Sequence, residues 1–310
     1  MRETPLWPLA GPAATQRMGT GTEVLMKLEL FQPTGTFKVR GAINNLLALD
    51  EAGRAAGVTT ISAGNHAIAT AYAAHRFGVS AKVVMMKEAN PARVAAARAY
   101  GAEVIVADSV EHGFALLEGL KQDEGRTYIP SFPNERVVCG TGTIALELFE
   151  QAGTLDAIVV PIGGGGLISG ISAAAKLISP TTRIYGIEPE KAGVVGRSVK
   201  SGTLQTLATV DTIADSLAAP MTNEVSVSFV SRFVDELVTI SDDAMTEAAA
   251  LLFGEAKLAV EAAGAASTAA LMGPLRQELA GKRVALIVCG ANIDPPSYCK
   301  LLQRGTAPGG

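Results

Sequence analysis

Short runs rich in Val, Ile and Leu recur along the chain at residues 25–30, 58–62, 82–86, 103–107, 157–162, 183–187 and 284–289, and longer Ala-rich stretches separate them. β-Branched side chains suit a pleated strand, and runs that are apolar at nearly every position suit strands covered on both faces. The alternation predicts parallel α/β units with helices on both sheet faces. Helix starts are legible as well. Asn90-Pro91 opens a helix over residues 92–100, and Ser241-Asp242-Asp243 caps one that runs through Leu252. The tail from Gly305 to Gly310 fits neither pattern and reads as a disordered end.

A chain of 310 residues with 48% hydrophobic content can bury one large core or two smaller ones. The formal net charge of -4, with Lys and Arg thinly spread, provides no basic stripe for a phosphate backbone, which argues against nucleic acid as a partner. Cys139, Cys289 and Cys299 form no CxxC pair, as expected of free thiols in a reducing cytoplasm. No apolar run reaches the roughly 18 residues of a membrane span, and the first residues do not read as a leader. A cytoplasmic globular enzyme acting on a small molecule is the class that remains.

In open α/β sheets, ligands gather where strands end and helices begin. Four such turns carry unusual residues. Ile162 ends an apolar strand and is followed by Gly163-Gly-Gly-Gly166 and a helix from Leu167. Four glycines cost backbone entropy that a plain turn would not require, and their free N–H groups at a helix N-terminus suit a phosphate monoester. Ser62-Ala-Gly-Asn-His66 follows a strand and precedes an Ala-rich helix. Its N–H groups and the Ser62 and Asn65 side chains could grip a carboxylate, which only accepts hydrogen bonds. His66 is read as a structural histidine rather than a general base. Lys38 follows Phe37 at the start of a helix, where the helix dipole and an apolar neighbour both disfavour an ammonium ion. Cys289 ends the strand over residues 283–288 and leads into Gly-Ala-Asn292-Ile-Asp294; alone, it reads as a packing residue.

A competing signal is Gly140-Thr-Gly142-Thr-Ile-Ala145, which satisfies GxGxxA and raises an NAD-dependent dehydrogenase. The run before it is short and proline-flanked, and Asp156 comes too early to contact a ribose.

Taken in order, Thr4-Pro-Leu6, Lys27-Leu-Glu-Leu30, Pro33-Thr-Gly-Thr-Phe-Lys38, Ser62-Ala-Gly-Asn-His66, Gly140-Thr-Gly-Thr-Ile-Ala-Leu-Glu147, the tetraglycine turn, Gly186-Ile-Glu-Pro189, Glu261-Ala-Ala-Gly264 and Cys289-Gly-Ala-Asn292 resemble the pyridoxal-phosphate fold type II family in its serine/threonine dehydratase and serine racemase branch. The resemblance spans nearly the whole chain. It implies an α/β, tryptophan synthase β-like architecture of two open, twisted, mostly parallel sheets. Residues 1–47 plus 134–310 would form a large cofactor domain, and residues 48–133 a small, mobile one. A homodimer is the implied assembly.

By the same resemblance, pyridoxal 5'-phosphate is the cofactor and Lys38 its Schiff-base lysine. Phe37 lies against the ring, Asn65 meets the ring hydroxyl, and Gly163, Gly164, Gly165, Gly166 and Leu167 hold the phosphate. Cys289 faces the pyridine nitrogen, while Ser62, Ala63, Gly64, Asn65 and His66 receive the carboxylate of an amino-acid substrate. The implied reaction is β-elimination from an L-β-hydroxy amino acid such as threonine or serine, giving a 2-oxo acid and ammonia. A neutral thiol at the ring nitrogen leaves a weaker electron sink, which suits elimination.

Three positions depart from the pattern. Racemases of this branch carry a serine where this chain has Ala63, so a proton donor on the face opposite the lysine is missing. Of the metal-binding pattern, Glu188 and Ala192 match, but Val194 stands where an aspartate is expected, leaving a divalent cation short of oxygen ligands. Asp215-Ser216 stands where relatives often have Asp-Gly.

Overall fold

A computed structural model of the chain describes residues 1–306. Its strands are β1 Leu6–Pro8, β2 Glu23–Leu28, β3 Val58–Ile61, β4 Ala81–Met86, β5 Glu103–Ala107, β6 Thr127–Tyr128, β7 Ala157–Pro161, β8 Arg183–Pro189, β9 Glu236–Ile240 and β10 Arg283–Val288. Six lie side by side in the order β1-β2-β10-β7-β8-β9, and four in the order β5-β4-β3-β6. β1 runs antiparallel to β2, and the other pairings are parallel. Helices follow the strands and cover the sheets, as the alternation predicts.

Every residue of β7 and all but the first of β10 are buried, which is why these central strands read as unbroken apolar runs. β10 and β7 are neighbours although far apart in sequence. The chain moves from β7 outward to β8 and β9 and then returns to β10, so the strand order reverses between them. That reversal opens a crevice beyond their C-terminal ends, the place where such sheets bind ligands.

The four-stranded sheet has its own core. Val58, Val83 and Met85 meet Ala67, Ala69, Ala71, Ala73 and Ala74 of the helix Asn65–Phe77, whose small side chains let it lie close to the strands. The helix Lys38–Leu47 adds Val39, Ala42, Ile43 and Leu46 to the same core. It is held on the other side by charge. The fully buried Arg40 guanidinium donates to both oxygens of Glu29 at 2.7 Å and to both oxygens of Glu147 at 2.6 and 2.8 Å. Lys27 joins Glu147 at 2.6 Å.

Several local expectations need correction. The strand expected to reach residue 30 stops at Leu28, because Glu29–Phe31 coils into a 3-10 turn that delivers Glu29 to Arg40. β1, β6 and β9 were not legible as strands; β1 and β6 are only three and two residues long, and β9 is a partly exposed edge. Gly305 and Thr306 of the expected disordered tail close the helix Pro295–Thr306; residues 307–310 lie outside the described part. Gly140 and Gly142 sit in the middle of the helix Glu135–Ala152 rather than in a turn. A Cβ on Gly140 would meet the Arg40 carbonyl oxygen at 2.6 Å, and one on Gly142 would meet the Gly170 carbonyl oxygen at 3.3 Å. The GxGxxA spacing thus serves close helix packing, and its N–H groups are committed to the helix. The dinucleotide reading fails on that ground. Among the described residues, no helix is long and apolar enough to cross a membrane.

Candidate active site

The four turns singled out by sequence converge at the crevice beyond β10 and β7. The Phe37 N–H donates to the Cys289 carbonyl at 3.1 Å, and Thr36 bridges Gly290, so the end of β10 fixes the start of the helix that Lys38 opens. Lys38, Phe37, Asn65, Gly163 to Leu167 and Cys289 line one narrow slot, together with Pro161, Ser216, Leu217 and Glu261. A cleft of about 720 Å³ opens from it, lined by Lys38, Ser62, Ala63, Gly64, Asn65 and His66, by charged and polar groups including Glu88, Asn90, Arg93 and Asp215, and by apolar groups including Ile61, Met86, Phe132, Ala218 and Pro220.

The tetraglycine turn is built for close approach. Gly165 has φ +95°, in the left-handed region, and a Cβ there would lie 2.5 Å from Ser226 Oγ. A Cβ on Gly164 would come within 2.9 Å of the Phe132 ring. The carbonyls point into the protein: Gly164 O accepts from Ser226 Oγ at 2.6 Å, and Gly165 O from Ser169 Oγ at 2.8 Å. Among the described residues, no N–H from Gly163 to Leu167 donates to a protein acceptor. Five donors therefore remain for an anion at the N-terminus of the helix Gly166–Ile178.

Burial sets the protonation states. It pushes the Lys38 ammonium below the ordinary lysine range, against the opposing pull of Cys289 and Glu261. Burial also raises the Cys289 thiol well above its usual range, and the Glu261 carboxylate reinforces this, so the thiol stays neutral. His66 is 5% exposed; burial and the nearby Lys38 charge lower it to about 4. Its Nε2 lies 3.0 Å from the Ile129 carbonyl and so carries the proton of a neutral ring. The structural reading of His66 is consistent with this bond.

Sequence reasoning did not assign a role to Glu261, yet it lines the slot. Asn65 Nδ2 donates to its two oxygens at 2.9 and 3.2 Å. Burial, aided by the Asp215 charge, raises Glu261 to about 7. Asn65 Nδ2 also reaches Ser216 Oγ at 3.0 Å, and Asn65 Oδ1 accepts from Asn292 Nδ2 at 2.8 Å. The available signals were the Glu261-Ala-Ala-Gly264 and Cys289-Gly-Ala-Asn292 segments, which carry no chemistry on their own. Ser62 Oγ accepts from the Gly64 N–H at 3.2 Å and shapes its own turn. Glu188 is buried away from the slot lining, and its oxygens accept from the N–H groups of Val195 and Gly196 at 2.9 Å, with Ala192 buried beside them. Burial raises it to about 7, against the pull of those two N–H groups.

These residues fit a planar, phosphorylated cofactor. A five-donor nest faces an amine of lowered pKa, and a ring between them would meet an amide and a neutral thiol. Comparison with known proteins agrees. Residues 1–290 match the pyridoxal-phosphate dependent enzyme family. The chain is 50% identical over 285 residues to a phenylserine dehydratase of Ralstonia pickettii, covering 92% of this chain and 87% of that one. It is 38% identical to a serine racemase of Schizosaccharomyces pombe, covering 91% and 87%. The structure of maize serine racemase superposes with a TM-score of 0.91 at 33% identity, covering 98% of this chain and 92% of the other. A threonine deaminase isoform of Solanum lycopersicum gives the same TM-score at 30% identity, covering 98% and 88%. The chain therefore belongs to the pyridoxal-phosphate dependent enzymes, of fold type II, and pyridoxal 5'-phosphate is its cofactor.

Proposed function

We propose that this enzyme is an ammonia-lyase that removes water from an L-β-hydroxy amino acid with a bulky apolar β-substituent, of the phenylserine kind, releasing a 2-oxo acid and ammonia. The observation that carries the reading is the cleft in front of Lys38. Ile61, Met86, Phe132, Ala218 and Pro220 line it, a surface that accepts an aryl or large alkyl group by apolar burial. Arg93, the cation beside this wall, is already paired with Asp215 at 2.7 Å. That pairing disfavours a second substrate carboxylate, as in hydroxyaspartate. The phenylserine dehydratase likeness supports the same substrate class.

In this reading the N–H groups of Gly163 to Leu167 would hold the cofactor phosphate, Phe37 would pack on the ring, Asn65 would lie beside the ring hydroxyl and neutral Cys289 beside the ring nitrogen. The bound cofactor supplies an acceptor for the electron pair left at the substrate Cα. The turn from Ser62 to His66 binds the substrate carboxylate and turns the Cα–H bond toward Lys38. The Lys38 amine, whose hold on a proton is weakened by burial, takes the α-proton. The β-hydroxyl leaves as water, its proton balanced by the one that Lys38 removes from Cα, and hydrolysis of the released enamine gives the oxo acid and ammonia. Ala63 offers no proton from the opposite face, so the chain's own residues favour elimination over racemisation. Residues 48–133 carry the four-stranded sheet and act as the smaller domain, which closes on the substrate.

The test is a panel of phenylserine, threonine, serine and hydroxyaspartate compared by kcat/KM for oxo-acid release with the purified holoenzyme. Phenylserine is expected to lead. A preference for serine or hydroxyaspartate, or accumulation of D-amino acid faster than oxo acid, would overturn the reading.

A further inference from the structure

Five residues form a closed ring of hydrogen bonds, and one of them, Asn65, also bonds Glu261. Arg93 Nη1 pairs with Asp215 Oδ2 at 2.7 Å, and the Ser216 hydroxyl donates to Asp215 Oδ1 at 3.3 Å. Ser216 Oγ accepts from Asn65 Nδ2 at 3.0 Å. Asn65 Oδ1 accepts from Asn292 Nδ2 at 2.8 Å, and the Asn292 carbonyl accepts from Arg93 Nη2 at 3.2 Å, which closes the ring. Two members stand at the starts of helices that flank the four-stranded sheet: Arg93 in Pro91–Ala99 and Asn65 in Asn65–Phe77. The other three come from the six-stranded side, with Asp215 and Ser216 in a 3-10 turn and Asn292 just after β10. The ring therefore crosses repeatedly between the two sheets.

We propose that Ser216 is a positioning residue that ties the Arg93–Asp215 ion pair to the amide of Asn65. An asparagine amide has two faces that differ only in donor and acceptor, so its orientation is set by what surrounds it. Asn292 Nδ2 also donates to the Thr34 carbonyl at 2.8 Å, which commits that nitrogen as the donor and requires Asn65 to turn Oδ1 toward it. Asn65 must then aim Nδ2 at Ser216 and Glu261. Ser216 is the one member of the ring that touches both the slot and the cleft while also bonding Asn65. Its hydroxyl accepts from Asn65 and donates to Asp215. The Arg93–Asp215 pair beside the cleft is thereby linked through Ser216 to the Asn65 amide that would lie beside the cofactor ring. The inference rests on the reading that Asn65 contacts that ring.

Cofactor rebinding to the apoenzyme and the visible absorption maximum of the holoenzyme test this, using Ser216→Ala, Ser216→Thr, Arg93→Met, the Ser216→Ala/Arg93→Met double variant and Asn65→Ala. Losing one hydrogen bond of this kind is expected to weaken cofactor affinity roughly three- to tenfold and to displace the maximum. Ser216→Thr, which keeps the hydroxyl, restores both. Arg93→Met has a similar effect, and the double variant is no worse than the poorer single by more than about twofold, because both break the same chain. If Ser216→Ala leaves affinity and spectrum unchanged while Asn65→Ala alters them, or if the two losses multiply, the coupling is refuted. If Asn65→Ala itself changes neither, the contact between Asn65 and the ring is refuted instead.

Discussion

The N–H of Phe37 and the carbonyl of Cys289 meet at 3.1 Å, so one backbone bond joins the lysine that opens a helix to the thiol that ends a strand. The two groups are 252 positions apart in the sequence, yet neither can shift without the other. Lys38 therefore inherits the rigidity of β10, the innermost part of the larger sheet. That rigidity matters because proton abstraction depends on a fixed approach of base to Cα–H.

Replacing Lys38 with Ala is expected to cut oxo-acid release at least about a thousandfold while leaving the circular dichroism spectrum unchanged, since among the described residues no second amine lines the slot. Turnover within tenfold of the parent would remove Lys38 from its proposed role.

Gly165→Ala puts a Cβ into the left-handed region and against Ser226 Oγ. Strain of this kind costs about 1–3 kcal/mol. Thermal denaturation should show a lower midpoint, and the variant should bind the cofactor less tightly because the nest is displaced. The equivalent change at Gly153, where a Cβ would meet nothing within 4 Å but φ is +70°, should cost stability without affecting the cofactor.

Cys139 and Cys299 are exposed, whereas Cys289 is buried with its thiol pushed far toward the neutral form. A thiol-specific disulfide reagent at neutral pH should therefore titrate two cysteines in the native enzyme. The third should react only in denaturant. Fast modification of all three would contradict a buried, neutral Cys289.

Arg40→Met leaves Glu29 buried without its cation and Glu147 with Lys27 alone. Breaking a buried pair in this way costs about 3–5 kcal/mol, and chemical denaturation should show it. The milder Glu147→Gln keeps Arg40 paired with Glu29 and should lose less.

His66 supplies a pH dependence whose sign is fixed by its burial. Its folded value is depressed to about 4, from an ordinary 6.5. Above pH 6.5 the ring is neutral in both states and its contribution is intact. As pH falls from 6.5 toward 4, the unfolded chain takes up the proton first, and stability declines by up to roughly 3 kcal/mol. His66→Gln should flatten that part of the stability profile relative to the parent; an unchanged slope between pH 6.5 and 4 would show that His66 is not its source.

The sequence by itself determined the features that are local in origin. Unbroken apolar runs located β7 and β10, because strands buried on both faces need an apolar side chain at every position. Four glycines in a row announced a turn with uncommitted N–H groups at a helix start, because nothing cheaper frees so many of them. Asn90 and Ser241 marked helix starts that the structure places within two residues. Tertiary structure alone decided the rest. Glu261 lies 196 residues from Asn65, and Asn292 lies 227 from it, so no spacing along the chain could have closed the ring that orients Asn65. Gly140 and Gly142 spelled a phosphate turn but sit inside a helix, because what they accommodate is a neighbouring backbone. β9 took its strand form from pairing with β8, and Glu29 left the strand pattern to meet Arg40. In each case the deciding partner is distant in sequence, and only the folded chain brings it within bonding reach.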